Sequence, residues 1–226
     1  LIVSRGLGDV YKRQSGDSAV RIMLHSDSLE NHRDHYDGTR LGFNPTIKIK
    51  MNESTTLDLS YEYADHERYI DRGIPTENGE PVERFEKITF GGDDNLTTLK
   101  ANILRATLSK VFSDTRKGNL SIVSSDFEKM YKNYYASGYT AGATVVTMDG
   151  YLDPTERENT IISGNIVNEV GNHTLLVGVE LIDTTNENFR YNTFWSTTSD
   201  DNEVFNITRP MDFSVNYAGV ATSNDY

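Results

Sequence analysis

The chain has 226 residues, a formal net charge of −12, no cysteine, 13 tyrosines and five prolines. The acidic balance argues against a nucleic-acid-binding surface, and the missing cysteine excludes a disulfide framework and thiol chemistry. A mean hydropathy of −0.55 and the lack of any long apolar run exclude a helical membrane protein, but both are compatible with a β-barrel, whose strands dilute their apolar residues with polar ones.

Residues 1–14 are set apart from the fold. Asp9-Val10-Tyr11-Lys12-Arg13-Gln14 is similar to the translation of a transposase mosaic-end sequencing adapter, so residues 1–14 are read as an adapter-derived or disordered segment. On that reading Ser15 begins within a gene, and 15–226 is expected to be an internal fragment of a longer protein.

From Ser18 onward the pattern has period two, the signature of strands. Ser18 to Ser26 sets Val20, Ile22 and Leu24 against Arg21, Met23 and His25. Leu41 to Met51 places Leu41, Phe43, Pro45, Ile47, Ile49 and Met51 opposite Gly42, Asn44, Thr46, Lys48 and Lys50. Thr55 to Tyr63 continues with Leu57, Leu59, Tyr61 and Tyr63 against Thr56, Asp58, Ser60 and Glu62. Further strands are predicted over Leu99 to Phe112, Leu120 to Tyr131, Ile161 to Val170 and His173 to Asp183. One face of each strand is apolar and the other carries ions, over a length of roughly ten residues that crosses a bilayer when tilted.

The connections alternate in size. Asn52 to Ser54, Ser113 to Asn119 and Gly171-Asn172 are short and rich in turn formers; Asp65 to Thr98, Lys132 to Asn159 and everything after Thr184 are long. Compact soluble domains rarely need structureless loops of that size, whereas outer-membrane barrels join strands by short periplasmic turns and long external loops. The predicted fold class is all-β: a partial transmembrane antiparallel β-barrel, an open curved meander of about seven strands with long extracellular loops.

Several segments, taken in order, carry a family resemblance: Gly42-Phe43-Asn44-Pro45-Thr46, Leu57-Asp58-Leu59-Ser60-Tyr61-Glu62-Tyr63, Asp71-Arg72-Gly73-Ile74-Pro75, Asn78-Gly79-Glu80-Pro81-Val82, Arg157-Glu158-Asn159, and His173 to Glu180. Together they resemble the barrel of TonB-dependent ferric-siderophore receptors. The resemblance implies a barrel of about 22 strands with an N-terminal plug, in the outer membrane of a Gram-negative bacterium. It implies uptake of ferric siderophores with energy from the TonB complex, reached through an N-terminal region that this chain lacks together with the plug. The expected partners are then a ferric siderophore, outer-membrane lipid and the TonB complex. No cofactor is expected, iron entering only as siderophore-bound cargo. The alternatives are a soluble extracellular β-sheet binding module or adhesin, and a TonB-dependent receptor for a non-siderophore cargo.

The residues suggest ligand capture and not catalysis, since no nucleophile elbow, phosphate loop or zinc motif is present. A bulky chelate calls for aromatic faces and guanidinium forks on the long loops. The candidates are Arg68, Tyr69 and Arg72 in the first, Tyr134, Tyr135 and Tyr139 in the second, and Phe194 and Trp195 in the third. Lys48, Lys50, Asp58, Glu62 and Arg105 are expected to face the lumen, where Lys48 and Lys50 can pair with Asp58 and Glu62. His32, Asp34, His35 and Asp37, and Asp93-Asp94-Asn95, are read as solvated turns and not as metal sites.

Overall fold

The computed structural model describes residues 3–15, 17–33, 35–91, 95–195, 203–207 and 215–216. In chain order the strands are β1 (Val3–Ser15), β2 (Ser18–Glu30), β3 (Asp37–Asn52), β4 (Thr55–Tyr69), β5 (Thr76–Glu77), β6 (Glu80–Pro81), β7 (Leu96–Ser113), β8 (Arg116–Tyr139), β9 (Val145–Val170), β10 (His173–Asn188), β11 (Tyr191–Asn192), β12 (Phe194–Trp195), β13 (Glu203–Asn206) and β14 (Val215–Asn216). One antiparallel sheet runs β1-β2-β3-β4-β7-β8-β9-β10, with β11 and β13 also paired to β9. It is an open meander in which each long strand lies beside its sequence neighbour, as the alternation of short and long connections predicts.

The register confirms the two-faced reading. Ile47 lies opposite Leu59, Leu57 opposite Leu108, Leu108 opposite Leu120, Ile122 opposite Ile162 and Ile166 opposite Val177, so the apolar positions form one continuous band across the sheet. No second layer covers it among the described residues: Ile47 is 36% exposed, Leu175 58% and Val177 61%. A soluble β module would have to bury that band, whereas lipid covers it in a barrel.

The opposite face is polar. Lys48 Nζ lies 3.2 Å from Asp58 Oδ1, and Arg105 Nη1 3.2 Å from Glu62 Oε2. Lys50 turns instead to Glu53 in the adjacent turn, 2.8 Å away, which leaves Glu62 to Arg105. The Lys48–Asp58 and Arg105–Glu62 pairs are about half-exposed and each is worth only about 0.2–1 kcal/mol.

Prolines interrupt the ladder where it can be repaired. Pairing of β3 with β4 skips from Phe43 to Thr46, since Pro45 has no N–H to give. The Asn44 side chain repairs the gap by donating to the Tyr61 carbonyl at 3.0 Å. Likewise the partner of β9 breaks between Asn188, opposite Thr155, and Tyr191, opposite Leu152, beside Pro154. Only the Phe189 N–H reaches the Pro154 carbonyl, at 3.1 Å, and Arg190 falls in the gap.

Two expectations change. Lys132 to Asn159 is not a long loop: β8 continues to Tyr139 and β9 starts at Val145, so the segment is a tall hairpin with a five-residue turn at 140–144. Above the lipid both faces meet water or other protein, so backbone pairing persists where strict alternation is no longer imposed. Arg68 and Tyr69 belong to the end of β4 and not to a loop. Val3–Ser15 pairs along the whole of β2, so the open meander, expected to have about seven strands, has eight long ones; backbone pairing with an open edge requires only N–H and C=O groups, whatever the origin of the segment.

Candidate functional site

The two faces of the β8–β9 hairpin above the apolar band serve different purposes. Tyr134 and Met148 continue the parity of the apolar face, and there they are covered by the 70–95 segment. Val82, Phe85, Phe90, Tyr134, Val146 and Met148 form a buried cluster, with Ile74, Ile88 and Tyr139 against it. Phe85 meets Phe90 and Tyr139 edge-on, with ring centroids 5.5 and 5.6 Å apart. Within this segment Asn78 (φ 53°) and Gly79 (φ 84°) make the tight turn joining β5 to β6, the Asn-Gly pair that such left-handed turns favour.

Two polar side chains fasten the segment. Asn95, fully buried, accepts from the Tyr134 N–H at 2.9 Å and donates to the Tyr134 carbonyl at 2.9 Å and to the Ile70 carbonyl at 3.3 Å. Its amide thus extends the β7–β8 ladder past its last pair, Thr97 and Tyr131, which accounts for Asn95 without a metal. Arg33, between β2 and β3, pairs with Asp71 and donates to the carbonyls of Glu86 at 2.9 Å and Ile88 at 2.7 Å. The same Asp71 carboxylate accepts the Gly73 N–H at 2.9 Å. Nothing in the local sequence around Arg33 marks this role, because all three of its partners are distant in sequence.

The polar face of the same hairpin carries a different cluster. Asn133 stands opposite Tyr151, Tyr131 opposite Asp153 and Tyr135 opposite Asp149, all on the parity of Arg105 and Ser121. Tyr131 and Tyr151 stack with centroids 5.9 Å apart, and Tyr135 meets Tyr151 edge-on at 6.4 Å. Arg72 reaches in from the 70–95 segment: its guanidinium lies 4.5 Å above the Tyr135 ring, and Nη1 donates to Asn133 Oδ1 at 3.1 Å and to the Tyr151 hydroxyl at 3.2 Å. Arg190, placed by the Pro154 gap, lies 4.3 Å above the Tyr151 ring and donates to Asp153 Oδ2 at 2.8 Å. Below, toward the membrane, Lys129 sits 5.8 Å from the Tyr131 ring centroid and lines a cavity of about 430 Å³ with Phe127, Arg157, Asn186 and Asn188.

This environment shifts the titrating groups. Burial, then the hydrogen bond its hydroxyl donates to Asp149 at 2.9 Å, pushes the Tyr135 phenol up to about 12. Burial works against the Arg72 charge, yet the Tyr151 hydroxyl and the neighbouring tyrosines leave its pKa above the ordinary value. The bond to Asp153 does the same for Arg190. Both guanidiniums are therefore fixed cations, held over aromatic rings. Because the neutral Tyr135 phenol is favoured in the folded state, its contribution to stability is complete below about pH 10 and is lost as pH rises toward about 12. In the wild-type minus Tyr135→Phe ultraviolet difference spectrum, the phenolate band is expected near pH 12, and Asp149→Asn should move it toward 10; a midpoint already at 10 would refute the Tyr135–Asp149 contact.

Of the residues singled out in sequence, Arg72 and Tyr135 meet in this cluster. Tyr69 and Tyr134 are 2% exposed and belong to packing, and the Tyr139 hydroxyl pairs with Arg84. Arg68 ends β4 opposite Gly38 and Thr97, away from the rings. Phe194 and Trp195 form β12, paired with β14, and their side chains lie outside the described residues. Asp34, Asp93 and Asp94 also lie outside them; among the described residues no group of three or more His, Asp or Glu is placed to hold a metal. Sequence reading passed over Tyr131, Tyr151, Lys129 and Arg190; the parity shared by Tyr131, Asn133 and Tyr135 is the signal that could have exposed the first.

No protein-family model matches the chain. It is 27% identical over 143 residues, 61% of its length and 19% of the relative's, to the metal-pseudopaline receptor CntO of Pseudomonas aeruginosa. Among solved structures, the FpvAI chain of a complex with pyocin S2 superimposes with a TM-score of 0.79 at 14% identity, covering 99% of this chain and 31% of that one. The ferric-catecholate import receptor Fiu of E. coli K12 superimposes with a TM-score of 0.72 at 16% identity, covering 83% and 34%. The chain thus spans 19% of the curated relative and about a third of these solved receptors. It carries the fold of a section of an outer-membrane receptor barrel, the fold of the siderophore receptors it superimposes on and of the TonB-dependent family its sequence resembles.

Proposed function

We propose that this chain is the ligand-contacting section of an outer-membrane receptor that takes up ferric siderophores, and that Arg72, Arg190, Tyr131, Tyr135 and Tyr151 touch the chelate. The observation that carries this reading is the pair of guanidiniums resting on tyrosine rings, 4.5 and 4.3 Å above them, on the polar face. They sit at the end of the sheet away from the short turns, where a ligand arriving from outside meets the lumen. Planar cations beside aromatic faces complement an anionic, oxygen-rich, partly flat chelate. Lys129 and Arg157 extend positive charge toward the membrane along the same face, which supports a path inward. The chain binds and passes on its ligand and performs no chemistry on it; energy coupling through the TonB complex belongs to the plug and N-terminal region of the whole receptor.

A second cargo is favoured by one specific finding, the 27% identity to a receptor named for metal-pseudopaline: a metal chelate of that kind. In whole cells expressing the intact receptor, uptake of radiolabelled ferric siderophore should fall about 100-fold in Arg72→Ala/Arg190→Ala, since each charge-assisted contact is worth about 1.5–3 kcal/mol. Unchanged uptake would remove this site from the pathway, and competition by metal-pseudopaline would favour the second cargo.

A further inference from the structure

The lipid-facing side of the sheet holds a feature that no ligand-uptake role uses. Between β7, β8, β9 and β10 a groove of about 480 Å³ is walled by Leu108, Leu120, Ile166, Val177 and Val179, with Gly164 on its floor. The groove runs toward the end of the sheet that carries the short turns Glu53-Ser54, Asp114-Thr115 and Gly171-Asn172, the periplasmic end of an outer-membrane barrel. At that end the apolar face carries two cations. Lys110 Nζ lies 5.6 Å from the Phe112 ring centroid, and that ring lies over Gly118, where an added Cβ would come within 3.3 Å of it. One rung further, Arg116 stands opposite Asn168 and its Nε donates to Asn168 Oδ1 at 3.0 Å. The nearest acidic side chain on β9, Glu169, falls on the opposite parity, paired with Thr174, so no carboxylate on that strand neutralises the pair on the lipid side.

We propose that this groove is a specific site for one anionic glycerophospholipid of the periplasmic leaflet, its acyl chain lying over Gly164 and its phosphate between Lys110 and Arg116. The charge of the two side chains and their place at the leaflet's headgroup level select an anionic phosphodiester. The open floor selects a chain: a Cβ at Gly164 would meet only the Asn119 carbonyl oxygen and Leu120 Cδ1, both at 3.7 Å, so this glycine is not demanded by packing and its effect is to leave a furrow.

The test is native mass spectrometry of the intact receptor, purified from outer membranes in a mild detergent, delipidated and titrated with phosphatidylglycerol or phosphatidylcholine. The wild type should retain one phosphatidylglycerol and bind phosphatidylcholine at least tenfold more weakly. Lys110→Gln/Arg116→Gln should lower phosphatidylglycerol occupancy at least tenfold by removing the charge, and Gly164→Phe should do so by filling the furrow. Lys117→Gln, on the opposite face of β8, should leave it unchanged. Equal retention of both lipids, or of phosphatidylglycerol by the wild type and both groove variants, overturns the site. Heat-modifiable migration on gels reports whether each variant is folded, and the two groove variants act through different atoms, so a folding defect in one leaves the other as the test.

Discussion

Arg33→Met is expected to release the 70–95 segment from the β2–β3 connection, at a local cost of about 3–5 kcal/mol, the range for breaking a buried ion pair from one side. The Arg33 and Asp71 side chains are only 9% and 11% exposed. Removing the guanidinium leaves the carbonyls of Glu86 and Ile88 without their donors and the Asp71 carboxylate with the Gly73 N–H but no cation, and a stranded buried charge costs more than the pair contributed. Hydrogen exchange of the protein in detergent micelles should show faster exchange at Gly73, Phe85 and Ile88 with little change in β7 or β8. Arg33→Met combined with Asp71→Leu should cost much less than the single change, because no charge is left unpaired; equal losses in single and double variants would mean that the clamp contributes through shape alone. Since the segment also carries Arg72, ligand affinity should fall in the single variant even though Arg33 lies away from the rings.

The second large effect is expected at Phe90. This ring is 2% exposed and packs edge-on against Phe85 in the cluster that covers Tyr134 and Met148. Phe90→Ala removes its transfer free energy and leaves a cavity that a segment with few backbone pairings cannot close by shifting a strand, for a loss of about 3–5 kcal/mol. The barrel wall itself should keep its melting temperature, because its ladder does not depend on this cluster. Limited proteolysis in the 70–95 segment, accelerated in Phe90→Ala with the rest of the chain protected, is the expected pattern; uniform protection would show that the backbone bonds and Asn95 hold the segment without the aromatic core.

The expectations that concerned one strand at a time agree with the structure. Alternation from Leu41 to Met51 and from Leu57 to Tyr63 carries the two-faced wall, because side chains on a strand alternate strictly and ions on the lipid side are costly except near the headgroup levels. Turn formers at Asn52 to Ser54 and Gly171-Asn172 mark the tight ends, Gly171 with a positive φ of 61°. The height of the β8–β9 hairpin was not legible from Lys132 to Asn159: beyond the lipid the pattern that marks a strand lapses while its hydrogen bonds continue.

The sequence by itself determined the class of fold, the apolar band, the order of short and long connections and the family resemblance, since each rests on neighbours in the chain or on a periodicity that one strand displays. Only the tertiary structure decided which tyrosines face the lumen and which are buried, since Tyr134 and Tyr135 are adjacent in sequence and point to opposite sides. It also decided the company of Arg72: Asn133 and Tyr151 lie 61 and 79 residues away, and the register of β8 against β9, with the ladder break beside Pro154, brings them and Arg190 to one place. Contacts across such separations follow from strand register, which sums the pairing of the whole sheet and is written in no single segment.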